Sequence, residues 1–294
     1  MAPVSVQGRP RAAVVVTGSE LLTGVIADRN GPWLSRELGE LGFEVAHLLV
    51  VGDRPDDLLV ALRFVADAGC ELVVTSGGLG PTADDLTTEV VAGFAGLDLV
   101  LDEPMRARIA GIVAGWAARS GFEGPALEAA NRKQAMLPRG AVALDPVGTA
   151  PGVVVSRPGG PLVVVLPGPP RELQGMWPAA LASAPMRELL AGVPPTRSRS
   201  LRYAALPESE IAATLRELGD GRDLSGVEVT TCLRRSELEV GQRGVQLVRQ
   251  GLEPRVRAQV DLQLGAAQAG RHLHPGQVPA AAQLAQGLRD LRLG

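Results

Sequence analysis

The sequence predicts a three-layer α/β/α fold around a mainly parallel sheet, joined to a smaller α+β domain. Three observations predict it. Short apolar runs, AAVVVT at 12–17 and ELVV at 71–74, have the length and β-branched content of strands buried on both faces. Amphipathic helical segments separate the strands and leave room for right-handed crossovers. Gly-rich and Pro-rich turns then mark the passage from strand to helix.

The elements follow in order. Residues 12–17 form the first strand, ending at Gly18. Asn30 reads as an N-cap, with Pro32 in the first turn of the helix WLSRELGEL and Gly42 past its end. FEVAHLLVV is the second strand, Asp53 caps the helix PDDLLVALRFVADAG, and ELVVTS is the third strand. Residues 102–120 and 125–136 read as helices. VVVSRPGGPLVVVLPG reads as a hairpin about a Pro-Gly-Gly turn, with a further helix starting near Pro170.

GVPPT (192–196) has linker composition, which sets the organisation. Residues 1–192 form a ligand-binding domain, and 198–240 form a small β-α-β-β unit. Residues 241–294 form an atypical tail, rich in glutamine and weak in periodicity, consistent with disorder or a change of reading frame. His272 and His274 lie in it without acids or cysteines that would complete a metal site.

Composition excludes several functions. Net charge −3 and 3% aromatics leave neither a basic footprint nor a row of stacking platforms for nucleic acid. No apolar run could span a bilayer, no secretory leader is evident, and Cys70 and Cys232 suggest no disulfide framework, so a cytoplasmic protein is expected. Lys133 is the sole lysine, which rules out a Walker phosphate loop. GLGPTA at 78–83 fits a dinucleotide fingerprint superficially, but it follows the third strand and Pro81 interrupts it.

One stretch carries the chemistry: TSGGLGPTADDLT, residues 75–87. Gly77, Gly78 and Gly80 let the backbone approach a ligand, and Ser76 precedes them. Thr82 can cap the next helix or meet a phosphate oxygen. Bare amides before a helix favour an anion, and the carboxyl ends of parallel strands are where such ligands bind. Asp84 and Asp85 repel one another unless a cation or the helix start compensates, so a divalent metal held by both is one reading. The other is that a single aspartate faces the site. Ser19, Glu20, Asp28 and Asn30 converge from the first strand's end, and Arg171 of LPGPPRE can meet a phosphate or lie in solvent.

GSELLTG, ADRNGPWLSRELGELG, VGDRPDDL, SGGLGPTADDLT and LPGPPREL, in that order, resemble the CinA family and its molybdopterin-binding-like domain, shared with MoeA and MogA/MoaB proteins. The likeness covers about the first 190 residues, and 198–240 resembles the KH-like domain that follows in CinA. It stops before the nicotinamide-nucleotide amidohydrolase domain, so deamidation is not expected. The resemblance implies a ligand at the glycine loop, with Gly77, Gly78, Gly80, Thr82, Asp84 and Asp85 in that role and Glu20 in the adjoining loop. It also implies a homodimer. Ser19 and Arg29 depart from the family, which often has an acid or amide and a threonine there. The KH-like unit lacks a G-x-x-G clamp, so RNA binding is not expected.

Two functions remain open. One is a metal-dependent hydrolase of a nucleoside diphosphate-sugar such as ADP-ribose. In it Asp84 and Asp85 hold the metal, Glu20 positions water, and Ser76, Gly77, Gly78, Gly80, Thr82, Ser19, Asn30 and Arg171 bind substrate. The other is a module that binds molybdopterin.

Overall fold

The computed structural model describes residues 9–120, 125–194, 196–204, 227–234 and 237–245. Chain contacts divide the molecule into Arg9–Val193 and a second unit containing Pro194–Gly294.

The larger unit is built on a six-stranded sheet of order β2-β1-β3-β8-β7-β6. Strands β1 (Arg11–Thr17), β2 (Glu44–Val51), β3 (Leu72–Ser76) and β8 (Leu162–Leu166) are parallel neighbours. The hairpin expected about Pro-Gly-Gly is present: β7 (Gly152–Val155) runs antiparallel to β8, and β6 (Val142–Leu144) pairs with β7. β4 (Leu99–Leu101) and β5 (Met136–Pro138) form a separate antiparallel pair.

Alternation along β1 assigns the layers. Ala13 and Val15 join a cluster with Leu58, Leu62 and Val65 of α3 (Pro55–Asp67), Val91 and Phe94 of α4 (Thr87–Ala95), and Ile109 of α5 (Glu103–Ser120). Ala12, Val14 and Val16 face the other way, onto Leu34 and Leu38 of α2 (Asn30–Glu40), Leu173 and Trp177 of α7 (Pro170–Ala182), and Met186 of α8 (Ala184–Ala191). Full burial of each such aliphatic side chain contributes about 1.5–3 kcal/mol before entropy is charged against it. The α/β/α sandwich read from the sequence is therefore the observed fold.

The chain winds β1–α2–β2 and then returns over the opposite face through α3 to β3. This reversal makes the crevice between the carboxyl ends of β1 and β3 the topological switch point, where such sheets take ligands. Two further elements complete its surroundings: α1 (Ser19–Leu22), directly after β1, and α6 (Pro125–Gln134), directly before β5.

In the second unit β9 (Thr196–Ala204), β10 (Val227–Arg234) and β11 (Glu237–Val245) form an antiparallel sheet with β11 in the middle. Pairing reaches Val245↔Thr196, so the strand continues past the boundary that the composition placed at 240. The helix of the β-α-β-β unit, expected over PESEIAATLREL (207–218), and most of the 241–294 tail lie outside the described residues.

Candidate functional site

Three turns meet at the switch point. The first leaves β1. Gly18 has φ 155°, its amide donates to Val51 O at 3.0 Å, and α1 begins at once. Ser19 N donates to Asp53 Oδ2 at 2.9 Å. Asp53 therefore braces α1 and does not cap α3, whose cap position is held by Arg54. Glu20 is exposed, and its carboxylate folds back over Gly18, where a Cβ would lie 2.8 Å from Oε1.

The glycine loop leaves β3. Gly77 and Gly78 take φ of 106° and 65°, conformations that L side chains resist. A Cβ on Gly77 would lie 2.6 Å from Thr17 O, and one on Gly78 would overlap the Thr87 hydroxyl. Three of the loop's carbonyls, those of Gly78, Leu79 and Thr82, are held by the protein. Thr87 N donates to Gly78 O at 3.1 Å, Gln134 Nε2 to Leu79 O at 3.0 Å, and Asp85 N to Thr82 O at 3.2 Å. Lys133 Nζ also donates to Thr82 O. By contrast, the amides of Gly78, Leu79 and Gly80 meet no acceptor among the described residues. The loop thus turns these carbonyls to its own scaffold and leaves the amides of Gly78, Leu79 and Gly80 as donors for an anion.

The third turn, Pro167–Pro169, leaves β8 and lies against the loop. Gly77 N donates to Leu166 O at 3.0 Å, and Ser76 Oγ to Pro167 O at 3.3 Å. Buried Asn30 links the two turns: its Nδ2 donates to Ser76 Oγ at 2.9 Å and to Gly168 O at 2.6 Å. Asn30 is therefore a crosslink at the first position of α2, not its cap. The capping bonds come from Asp28, whose Oδ1 accepts the amides of Asn30 and Gly31, each at 2.9 Å. Asn30 Oδ1 is buried without a partner among the described residues, an acceptor left over at the switch point.

The paired acids differ in environment. Thr82 donates to Asp85 Oδ2 through its amide at 2.9 Å and also through its hydroxyl. Thr82 thus closes a local turn and caps no helix; α4 starts five residues later, at Thr87. Asp84 is exposed, and its carboxyl is held below its ordinary value first by the Thr82 hydroxyl and then by its own amide; desolvation opposes them, and Lys133 adds the least. No group of three or more His, Cys, Asp or Glu side chains is placed to hold a metal among the described residues. With Asp85 engaged by Thr82, a two-aspartate metal centre finds no support in the donor set. Arg171 is exposed on α7 and has no ion-pair partner among the described residues.

The structure places Ser76, Gly77, Gly78, Gly80, Ser19 and Asn30, all named from the sequence, at the carboxyl end of the sheet. Sequence reasoning missed Lys133 and Gln134, some fifty residues from the loop they hold. The available signal was Lys133's status as the chain's single lysine. It also passed over Arg54, which with Thr17, Asp53, Gly78 and Asp84 lines a small notch beside the loop.

Residues 13–186, more than half of the chain, match the family model described as "Probable molybdopterin binding domain". The chain belongs to that family. Among the family's CinA-like proteins, that of Mycolicibacterium vanbaalenii is 54% identical over 235 residues, covering 79% of this chain and 55% of its own. That of Mycobacterium tuberculosis is 50% identical over 271 residues, covering 90% of this chain and 60% of its own. The chain thus spans little more than half the length of these curated relatives. A crystal structure of CinA, of unknown function, from Thermoplasma acidophilum matches with TM-score 0.50 and 34% identity, over 61% of this chain and 98% of that one. Among the described residues no helix is long and apolar enough to cross a membrane. The amides of Gly78, Leu79 and Gly80, without an acceptor among the described residues, are donors of the kind a phosphate group takes.

Proposed function

We propose that this domain binds a phosphate-bearing pterin of the molybdopterin class, seated by its phosphate on the amides of Gly78, Leu79 and Gly80. The observation that carries this reading is the split polarity of the glycine loop, with carbonyls engaged by Thr87, Gln134, Lys133 and Asp85 and amides left open. Asn30 Oδ1 would accept an N–H or O–H of the ligand, as a buried acceptor without a partner favours a donor. Membership of the molybdopterin-binding family supports the pterin, and the loop supports the phosphate.

The test is anaerobic titration of the purified protein with molybdopterin, followed by the pterin's fluorescence. Saturable binding, reduced at least tenfold in Gly80→Val, is the expected result. A Cβ at Gly80 would lie 2.9 Å from Asp85 Cγ and so disturb the loop directly. No binding of the pterin, together with release of AMP from ADP-ribose in the presence of a divalent metal, would replace this reading by the hydrolytic one.

A further inference from the structure

The glycine loop sets its own polarity only in part, through the Asp85 amide on Thr82 O. A trans peptide plane points the C=O of residue i and the N–H of residue i+1 in opposite directions. Whatever fixes the Leu79 carbonyl therefore aims the Gly80 amide. That partner is Gln134, the last residue of α6, buried and donating through Nε2 at 3.0 Å. The amide orientation of Gln134 is determined, because only its nitrogen can donate to a carbonyl. Lys133, one residue earlier, does the same for the Thr82 carbonyl and hence for the Ala83 amide.

The mount is firm. Ala135 N donates to Asn131 O at 3.1 Å, Asp102 N donates to Ala135 O at 2.9 Å, and β5 then pairs with β4. Arg106 of α5 holds Glu128 of α6 at 2.9 Å and Glu103 at 2.8 Å. Flexible glycines are thus given direction by a helix end anchored outside the loop. Glycine opens peptide orientations that other residues lack, and an external donor on Leu79 O favours the one observed.

The geometry points to Gln134, with Lys133 beside it, as a positioning residue that presents the Gly80 amide to a bound phosphate without touching it. This rests on the phosphate seat proposed above. Its consequence is that removing a neutral side chain away from the ligand weakens anion binding specifically.

The experiment uses the full chain labelled with ¹⁵N-glycine and titrated with inorganic pyrophosphate. In the parent protein the Gly80 amide resonance should shift saturably. Gln134→Met keeps the buried volume and loses the donor; a tenfold or greater loss of affinity and a collapsed Gly80 shift are expected, with the Gly152 resonance in β7 unchanged. Gln134→Glu, which sets an acceptor against the Leu79 carbonyl, should lose as much or more. Parent-like affinity and a parent-like Gly80 shift in Gln134→Met would overturn the positioning role while leaving the phosphate seat intact. A Gly80 resonance that does not respond in the parent protein would overturn both. Should Gln134→Met fail to fold, Gln134→Glu decides by the same two readouts, and Lys133→Met with ¹⁵N-alanine labelling reads the same effect at Ala83.

Discussion

Two turns at the carboxyl edge of the sheet look alike in sequence and do opposite work. SGGLGPTADDL after β3 and LPGPP after β8 are both rich in glycine or proline and both enter a helix. The first presents amides and buries its carbonyls' hydrogen bonds in the scaffold. The second presents carbonyls: Leu166, Pro167 and Gly168 accept from Gly77 N, Ser76 Oγ and Asn30 Nδ2. Proline has no N–H, so a turn with three prolines is short of donors by composition. The proline turn is a strut, and the glycine loop is the part it supports. Counting glycines and prolines would not separate them; asking where each backbone hydrogen bond goes does.

The largest expected effect comes from exchanging alanine into each turn. Gly78→Ala forces a side chain into φ 65° and against Thr87, at a cost of about 1–3 kcal/mol, and should weaken pyrophosphate or pterin binding more than tenfold. Gly168→Ala meets only Gly77 Cα at 3.5 Å, an ordinary contact, and should leave binding within twofold. Calorimetric titration of both variants checks this. Equal losses would erase the distinction between seat and strut.

Asn30→Ala tests the link between them. It strips a donor from Gly168 O and from Ser76 Oγ in a buried setting, which should cost about 1–3 kcal/mol in urea denaturation. Arg171→Ala is the counterpart on the strut side. If the proline turn is no anion seat, phosphate affinity should stay within twofold, and a tenfold loss would show that Arg171 reaches the ligand.

The sheet was legible because burial on two faces demands uninterrupted β-branched runs, as in Val14–Val16, Val73–Val74 and Val163–Val165, all essentially inaccessible. The glycine loop was legible for the same kind of reason, since its conformation is one that few other residues adopt. Caps were less so. Asp28 and Asn30 are both competent to cap α2, and the choice was made from outside, by two turns that need Asn30's amide. Thr82 likewise reads as a cap until its amide and hydroxyl turn to the carboxylates that follow it. Gln134 and Lys133 read as an ordinary polar helix end, because nothing local records that a distant loop arrives there.

The smallest effect concerns two carboxyls near the helix that follows each turn, shifted in opposite directions. Asp84 is lowered, first by the Thr82 hydroxyl, whereas half-buried Glu172, in the first turn of α7, is raised by burial. A raised folded-state value means that the native protein binds the proton more tightly than the unfolded chain. Glu172 therefore costs stability once the pH exceeds its folded value, and the cost disappears as pH falls below the ordinary glutamate value of about 4.3. Glu172→Gln should stabilise the protein at neutral pH, by well under about 1 kcal/mol because solvent still screens a half-buried group, and should do nothing at pH 3. The helix start opposes this, since its dipole favours the anion. Urea midpoints across pH decide the sign. A Gln variant less stable at pH 7 would mean that the strut's helix welcomes negative charge after all, and the contrast between the two turns would then rest on their amides alone.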